Sequence, residues 1–314
     1  MNFKKITPKR FHHPIDNPVL SKIVKNINWL TFEKVFRLVI GLVVYAVMAR
    51  YLGPEQFGVL NYALAFAGLF LALNTLGLDS ITVRNIVNEP KKAREYLGST
   101  LVLRLVGSII LIVLSSIAIY FVRPDNTLLL FFVIIIATGY FFKSFETIDL
   151  WFQSEVKSKY TVFARSIAFF IVSGLKLLFV FTQQPLIAFV LMFALDSVIS
   201  AILLIFYYKY VEKHSIFNWK PRFQVMKELL KDSWPLILSG IAVMIYMRID
   251  QIMIGSMLSD QAVGIYSAAV KLSETWYFLP MIITASVFPA ILNARKKSKE
   301  LYLKRIQTLY DVFT

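Results

Sequence analysis

Residues 99–121 read STLVLRLVGSIILIVLSSIAIYF, and residues 128–149 read LLLFFVIIIATGYFFKSFETID after only six intervening residues. A helix needs about 20 mostly apolar residues to cross the hydrocarbon core of a membrane. Both stretches reach that length, and the first contains a single ionisable side chain, Arg104. They therefore predict two antiparallel membrane-spanning helices joined by a short loop.

The same criterion, applied to all 314 residues, predicts an all-α polytopic membrane protein with eight spans. The first span is the weakest, because Glu33, Lys34 and Arg37 interrupt it. The predicted spans are 27–49, 58–78, 99–121, 128–149, 161–181, 186–208, 233–256 and 264–288.

The composition excludes most soluble classes of protein. Hydrophobic residues make up 57% of the chain and charged residues only 17%, against about 25% in typical soluble domains. The mean hydropathy is +0.64, and there is no cysteine for disulfides, thiol catalysis or thiolate metal sites. The net charge of +15 does not indicate nucleic-acid binding, because the basic residues lie between long apolar runs.

The distribution of Lys and Arg predicts the orientation in the membrane. Segments 1–26, 79–98, 150–160, 209–232 and 289–305 hold 24 of these residues, whereas the loops on the opposite side hold only Arg50 and Arg123. Lys and Arg accumulate in cytoplasmic loops, so we expect a cytoplasmic N-terminus. Segment 1–26 lacks the apolar core of a signal peptide.

An internal repeat relates the two ends of the chain. Residues 52–59 (LGPEQFGV) align with residues 258–265 (LSDQAVGI) at an offset of 206. Six predicted spans separate the copies, so both run in the same direction, as in parallel-repeat transporters. A second half as long as the first would end near residue 412, from 206 + 206, and we expect the chain to be a fragment or a truncated product.

The repeat and a basic segment divide the chain into four parts. A basic N-terminal segment (1–26) precedes a six-helix half (27–208), and an incomplete second half (233–314) begins after a linker (209–232). The linker carries apolar residues at helical spacing among Lys and Arg. This pattern predicts an amphipathic helix on the inner leaflet, with a solvated linker as the alternative.

Several stretches resemble one family. Residues 49–58 (ARYLGPEQFG) and 76–79 (LGLD) are similar to the start of Wzx-type polysaccharide flippases, within the multidrug/oligosaccharidyl-lipid/polysaccharide exporter superfamily. Residues 233–236 (SWPL), 248–255 (RIDQIMIG) and 264–269 (GIYSAA) resemble the start of that family's second half. Members have twelve or more spans, whereas this sequence has eight predicted ones.

The resemblance implies a transporter rather than an enzyme. It implies movement of undecaprenyl-pyrophosphate-linked oligosaccharide units across the bacterial inner membrane, for surface polysaccharides such as O-antigen. The expected partners are this lipid-linked substrate, membrane lipids and other polysaccharide assembly proteins, with no nucleic acid. No cofactor is expected, and coupling to H⁺ or Na⁺ stays open.

Ionisable residues within predicted spans fall into two groups by depth. Those near span ends are expected to extend to the interface rather than to function inside. Lys143 and Glu146, three residues apart, could also pair on one helix face. The shallow group consists of Lys34, Arg104, Lys143, Glu146, Asp149, Arg165 and Lys176.

The deeper group defines the predicted site. Arg37, Arg248 and Lys271 are predicted to bind the pyrophosphate in a cavity between the halves, because Arg binds phosphate through two donors and stays charged. The deep acids are predicted to serve in ion coupling or charge pairing: Glu33, Asp196, Asp250 and Glu274.

The alternative is that charges on one helix neutralise each other and only tolerate burial. Glu33 and Arg37 are four residues apart, and Lys271 and Glu274 are three apart, both suitable for such pairs. No catalytic or metal-binding residue is predicted.

Three other functions compete with the flippase. An H⁺- or Na⁺-coupled drug or metabolite antiporter of the same superfamily is the nearest, although deep cations favour an anionic substrate. A membrane glycosyltransferase or polymerase of the same pathway would need a sizeable catalytic loop, and the predicted outer loops are eight residues or shorter. The third is a scaffold that transports nothing.

Overall fold

The computed structural model describes the backbone of residues 18–277 and of seven positions between 298 and 311, with side chains from residue 35 onward. Within these residues the protein consists of helices without strands. The all-α membrane fold predicted from the sequence is therefore confirmed. The α-helices are α1 (Pro18–Leu69), α2 (Ala72–Thr75), α3 (Leu78–Asn88), α4 (Ala93–Val122), α5 (Thr127–Lys143), α6 (Thr147–Ser154), α7 (Lys159–Phe181), α8 (Leu186–Tyr210), α9 (Phe223–Met257) and α10 (Asp260–Glu274).

Six helical stretches of the described chain are long and apolar enough to cross a membrane, so the count of eight is not reproduced. The first stretch, Val35–Asn88, contains parts of two predicted spans, 27–49 and 58–78. The eighth predicted span, 264–288, is described only as far as Tyr277.

Gly53 separates the two predicted spans that lie within α1. Its backbone is not helical, with φ of 71° and ψ of 169°. A positive φ is easily adopted by Gly, because it has no Cβ. The corresponding residue of the repeat, Ser259, is also non-helical (φ −164°, ψ 164°) and separates α9 from α10. The repeat read from the sequence therefore coincides with a matched pair of helix breaks.

A second break lies at Leu76 and Gly77, within the LGLD motif. Leu76 has a φ of 49° and Gly77 a φ of 62°, so α2 ends and α3 begins across two left-handed residues. Gly77 also packs closely against α9, and a Cβ placed on it would lie 2.5 Å from Cβ of Leu236. The motif thus bends the chain and brings α9 against the first half.

We expect Gly77→Ala to destabilise the protein. The left-handed backbone costs a residue with a Cβ about 1–2 kcal/mol, and the overlap with Leu236 adds to that. Thermal unfolding of the detergent-purified protein should show a lowered midpoint. Gly174→Ala is the matched control, because a Cβ at this helical glycine meets no atom within 4 Å. Equal midpoints for the two variants would contradict this account of the bend.

The predicted linker does not form a separate helix in the structure. Residues 223–232 are the first turns of α9, which continues through Pro235 to Met257. Val225 and Leu229 are buried together with Trp219 against residues of α3 and α4. Arg84 pairs with Asp232 at 2.7 Å, and Arg222 pairs with Glu95 at 3.1 Å. One face of the segment therefore packs on protein, while Phe223 is exposed.

Candidate functional site

A polar cavity of about 300 Å³ lies inside the first half, among α1, α5, α7 and α8. Its wall includes three cationic and two anionic side chains, together with hydroxyl groups of Ser197, Ser200 and Tyr140. Ionisable groups at membrane depth are costly, so several around one cavity indicate a functional site. The ionisable lining residues are Arg37, Lys143, Glu146, Arg165 and Asp196.

A turn at the end of α5 positions two of these side chains. α5 ends at Lys143, and a single 3-10 turn (Ser144–Glu146) leads into α6. Lys143 and Glu146 both line the cavity. They do not form the pair for which their spacing of three residues is suitable. Glu146 instead pairs with Arg165 at 3.3 Å.

Asn74 connects this turn to the helix break after α1. Its amide nitrogen donates to Oγ of Ser108 (2.6 Å), Oγ of Ser144 (2.9 Å) and the carbonyl of Tyr140 (3.1 Å). The side chain is 1% exposed, and a buried polar group requires such partners. Asn74 was not singled out from the sequence. The sequence did offer one signal for it, because Asn74 is an amide side chain inside the apolar predicted span 58–78.

Arg165 is held by two carboxylates. Its guanidinium lies 3.3 Å from Glu146 and 3.1 Å from Asp149, whose side chain is only 8% exposed. Gln153 donates a further hydrogen bond to Asp149 at 3.0 Å. This ionic cluster joins α7 to α6, and two of its members, Arg165 and Glu146, line the cavity.

Arg37 and Lys143 supply the other two positive charges. The guanidinium carbon of Arg37 lies 5.1 Å from the centroid of the Phe169 ring, and the Lys143 ammonium lies 5.9 Å from that of Tyr140. Among the described side chains, no carboxylate lies within 4 Å of the Lys143 ammonium. Asp196, on α8, lies within electrostatic range of Arg37 and Lys143. Lys176 also lies within electrostatic range of Asp196. The cavity wall therefore brings Arg37 and Lys143 together with the acids Asp196 and Glu146.

The structure separates the predicted phosphate-binding residues. Arg37 lines the cavity, whereas Arg248 and Lys271 lie outside it on α9 and α10. Arg248 is within electrostatic range of Tyr140, a cavity residue. The Lys271 ammonium lies 5.8 Å from the centroid of the Tyr45 ring.

The deep acids are similarly divided. Asp196 lines the cavity, whereas Asp250 accepts a hydrogen bond from the hydroxyl of Tyr266. Lys271 and Glu274, whose pairing was the alternative interpretation, do not form an ion pair within 4 Å in the described chain, and the Lys271 ammonium lies over Tyr45 instead. The side chain of Glu33 lies outside the described residues, and so does its predicted pair with Arg37.

The structure places most of the shallow charges against other parts of the protein. Arg104 is 3% exposed and pairs with Asp79, and Asp149 is 6% exposed. Lys143, Glu146 and Arg165 line the cavity. Position along a span predicts depth, but it does not predict which side of the helix faces protein. Lys176 lies 4.1 Å from the ring centroid of Phe193, and the side chain of Lys34 is outside the described residues.

The described helices define a multi-pass membrane protein with a polar cavity inside its first half. The profile of the family described as "Polysaccharide biosynthesis protein" matches residues 23–294. The chain belongs to this family, and the resemblance to polysaccharide flippases is confirmed at that level. No curated protein matches the chain.

Two solved structures align with the chain. A structure described as "Inward-facing conformation of a multidrug resistance MATE family transporter of the MOP superfamily" aligns with a TM-score of 0.66 and 15% identity. The alignment covers 88% of this chain and 67% of that one. "Crystal structure of MATE in the bent conformation" aligns with a TM-score of 0.47 and 16% identity, over 90% and 76% of the two chains. The first alignment shows that the chain shares the fold of that structure.

Proposed function

We propose that the protein is a flippase that moves undecaprenyl-pyrophosphate-linked oligosaccharides across the bacterial inner membrane by alternating access. The observation that carries the proposal is the cavity wall containing Arg37 and Lys143, in a member of a polysaccharide biosynthesis family. A substrate with a pyrophosphate, sugars and a lipid tail needs cations and hydroxyls inside the protein and an apolar exterior.

The charges of the cavity suit an anion. Arg165 is neutralised by Glu146 and Asp149, so it stabilises the protein rather than the substrate. Arg37 and Lys143 line the cavity together with Asp196, which lies within electrostatic range of both cations. Asp196 offsets part of their charge, and the pyrophosphate binds to the same two cations. Arg offers two parallel donors to phosphate, whereas Lys acts as a compact charge.

Ser197, Ser200 and Tyr140 bring hydroxyl groups to the same cavity. Hydroxyls both donate and accept hydrogen bonds, which suits the hydroxyl groups of a sugar. The Oγ atom of Ser200 is buried without a hydrogen-bond partner within the described chain, so it has a donor available for a ligand. Arg248 and Lys271 stay proposed as later cationic contacts on the path of the substrate.

Deletion of the gene tests the function. We expect surface polysaccharide to disappear and lipid-linked oligosaccharide to accumulate on the cytoplasmic face of the inner membrane. A polymerase of the pathway would instead leave single repeat units on the outer face. A drug or metabolite antiporter would leave the polysaccharide unchanged, and either of these results would refute the proposal.

The proposed orientation places the N-terminus in the cytoplasm. Because the chain has no cysteine, single cysteines introduced at exposed positions report sidedness. Cysteines at Asp125 and Gln183 should react with an impermeant thiol reagent added to intact cells, and a cysteine at Lys91 should react only after permeabilisation. All three side chains are exposed, so differences in burial do not explain the result. The reverse pattern would overturn the orientation.

A further inference from the structure

The two copies of the internal repeat are in direct contact just after their helix breaks. A Cβ on Gly58 would overlap the carbonyl oxygen of Asp260, and a Cβ on Gly264 would overlap that of Pro54. The Gly58 Cβ would lie 3.0 Å from the nitrogen of Gly264, and the Gly264 Cβ would lie 3.1 Å from the nitrogen of Gly58. The contact is therefore reciprocal and nearly equal in both directions.

This reciprocity follows the repeat. Pro54 and Asp260 are 206 residues apart, and so are Gly58 and Gly264. When residue i of one copy contacts residue j of the other and the reverse also holds, the surface is self-complementary about a two-fold axis. A local two-fold axis therefore passes between the two glycines, where the first half meets the beginning of the second.

Apolar packing closes the space around the glycines. Phe57 and Val263, again 206 residues apart, are 1% and 0% exposed. Only glycine lets two helix backbones come this close, so a larger residue at either position would hold α1 and α10 apart. One turn further along α10, the carbonyl of Ser267 lies 3.3 Å from the Tyr45 hydroxyl.

Arg123 links the same two regions from the end of α4. It pairs with Asp260 at 2.7 Å, donates a hydrogen bond to the carbonyl of Gly255, and lies over the Tyr62 ring at 4.1 Å from the centroid. The side chains of Arg123 and Asp260 are only 17% and 22% exposed. Charge-assisted hydrogen bonds shielded from water are stronger than exposed surface pairs.

We propose that these contacts are the closed outer gate of the transporter and that Arg123 is its latch. The inference rests on the proposed function, since alternating access requires one side to be sealed while the other is open. The glycine contact forms the seal between the halves. When the outer side opens, Gly58 separates from Gly264, and Asp260 must leave the guanidinium of Arg123.

Labelling of a cysteine behind the gate tests the proposal. Ser267 is 3% exposed, and its Oγ has no hydrogen-bond partner in the described part of the chain, so Ser267→Cys removes no hydrogen bond. In intact cells, adding Arg123→Gln should raise the rate at which an impermeant thiol reagent modifies this cysteine by about tenfold or more. Asp260→Asn should raise the labelling rate similarly. The double variant should label at about the same rate as either single variant, because both substitutions remove the same ion pair.

Two controls make the result specific. Arg50→Gln changes an exposed arginine on the same side of the protein and should leave labelling of Ser267→Cys unchanged. Ser173→Cys, a buried position on α7 away from the gate, should not label faster in the Arg123→Gln background. Unchanged labelling at Ser267→Cys, or an equal rise at Ser173→Cys, would overturn the latch.

Labelling requires no substrate. The labelling experiment can therefore contradict the gate without contradicting transport of lipid-linked sugars. The gene deletion can likewise contradict the proposed transport while the labelling result still supports the gate.

Discussion

Arg37→Ala, introduced at the chromosomal locus, is expected to abolish surface polysaccharide while the amount of protein in the membrane stays near normal. The guanidinium of Arg37 lines the cavity together with Lys143. Each hydrogen bond to a charged partner contributes about 1.5–3 kcal/mol, and about 1.4 kcal/mol is a factor of ten, so losing the two donors of one guanidinium lowers transport by about a hundredfold or more. Polysaccharide on the cell surface and protein in isolated membranes are measured from the same culture.

Two variants support the interpretation of that result. Arg37→Lys should recover only part of the export, because an ammonium lacks the planar pair of donors. Arg50→Ala removes an exposed arginine from the same helix and should export normally. Normal export by Arg37→Ala, or loss of export only because the protein is degraded, would remove Arg37 from the substrate site.

Arg165→Leu is expected to destabilise the protein by about 1–3 kcal/mol, since it leaves the nearly buried carboxylate of Asp149 without its cation. Arg165 lies within 3.3 Å of Glu146 and 3.1 Å of Asp149, and the latter is almost fully buried. The thermal unfolding midpoint of the purified protein and its abundance in membranes should both fall.

The matched control is Arg84→Leu, which breaks an ion pair of similar length with Asp232. Both side chains of that pair are about half exposed, at 55% and 48%, and exposed pairs contribute about 1 kcal/mol or less. Neutralising Glu146 and Asp149 to their amides in the Arg165→Leu background should restore part of the stability. If Arg165→Leu unfolds at the temperature of Arg84→Leu, the buried cluster is not what holds α6 to α7.

The membrane fold could be predicted from the sequence, because span length and apolar content follow directly from the thickness of a bilayer. The repeat was also visible, and its copies coincide with the breaks at Gly53 and Ser259. The number of spans was not reproduced. The described residues give six membrane-length stretches, because the stretch Val35–Asn88 includes predicted spans on both sides of Gly53 and the last predicted span is described only as far as Tyr277.

The sequence predicts the candidate site only in part. Position along a span indicates how deep a side chain lies in the membrane, but not which side of the helix faces the protein interior. Arg37 and Asp196 were selected as deep charges, and both line the cavity. Lys143 and Arg165 lie near the ends of predicted spans, and both line the cavity, because position along a span does not determine which side of the helix faces the protein interior. The pairing of Arg123 with Asp260 joins residues 137 positions apart, and no local pattern indicates such a contact.

Translocation by the purified natural gene product in lipid vesicles tests the central claim most directly. Vesicles carry a fluorescent undecaprenyl-pyrophosphate-linked oligosaccharide, and a membrane-impermeant quencher reports how much of it lies in the outer leaflet. We predict that the protein moves the labelled lipid between leaflets, that Arg37→Ala lowers the rate by about a hundredfold or more, and that Arg50→Ala matches the unchanged protein. Equal rates for vesicles with and without the protein, in a preparation shown to be folded, would contradict the account.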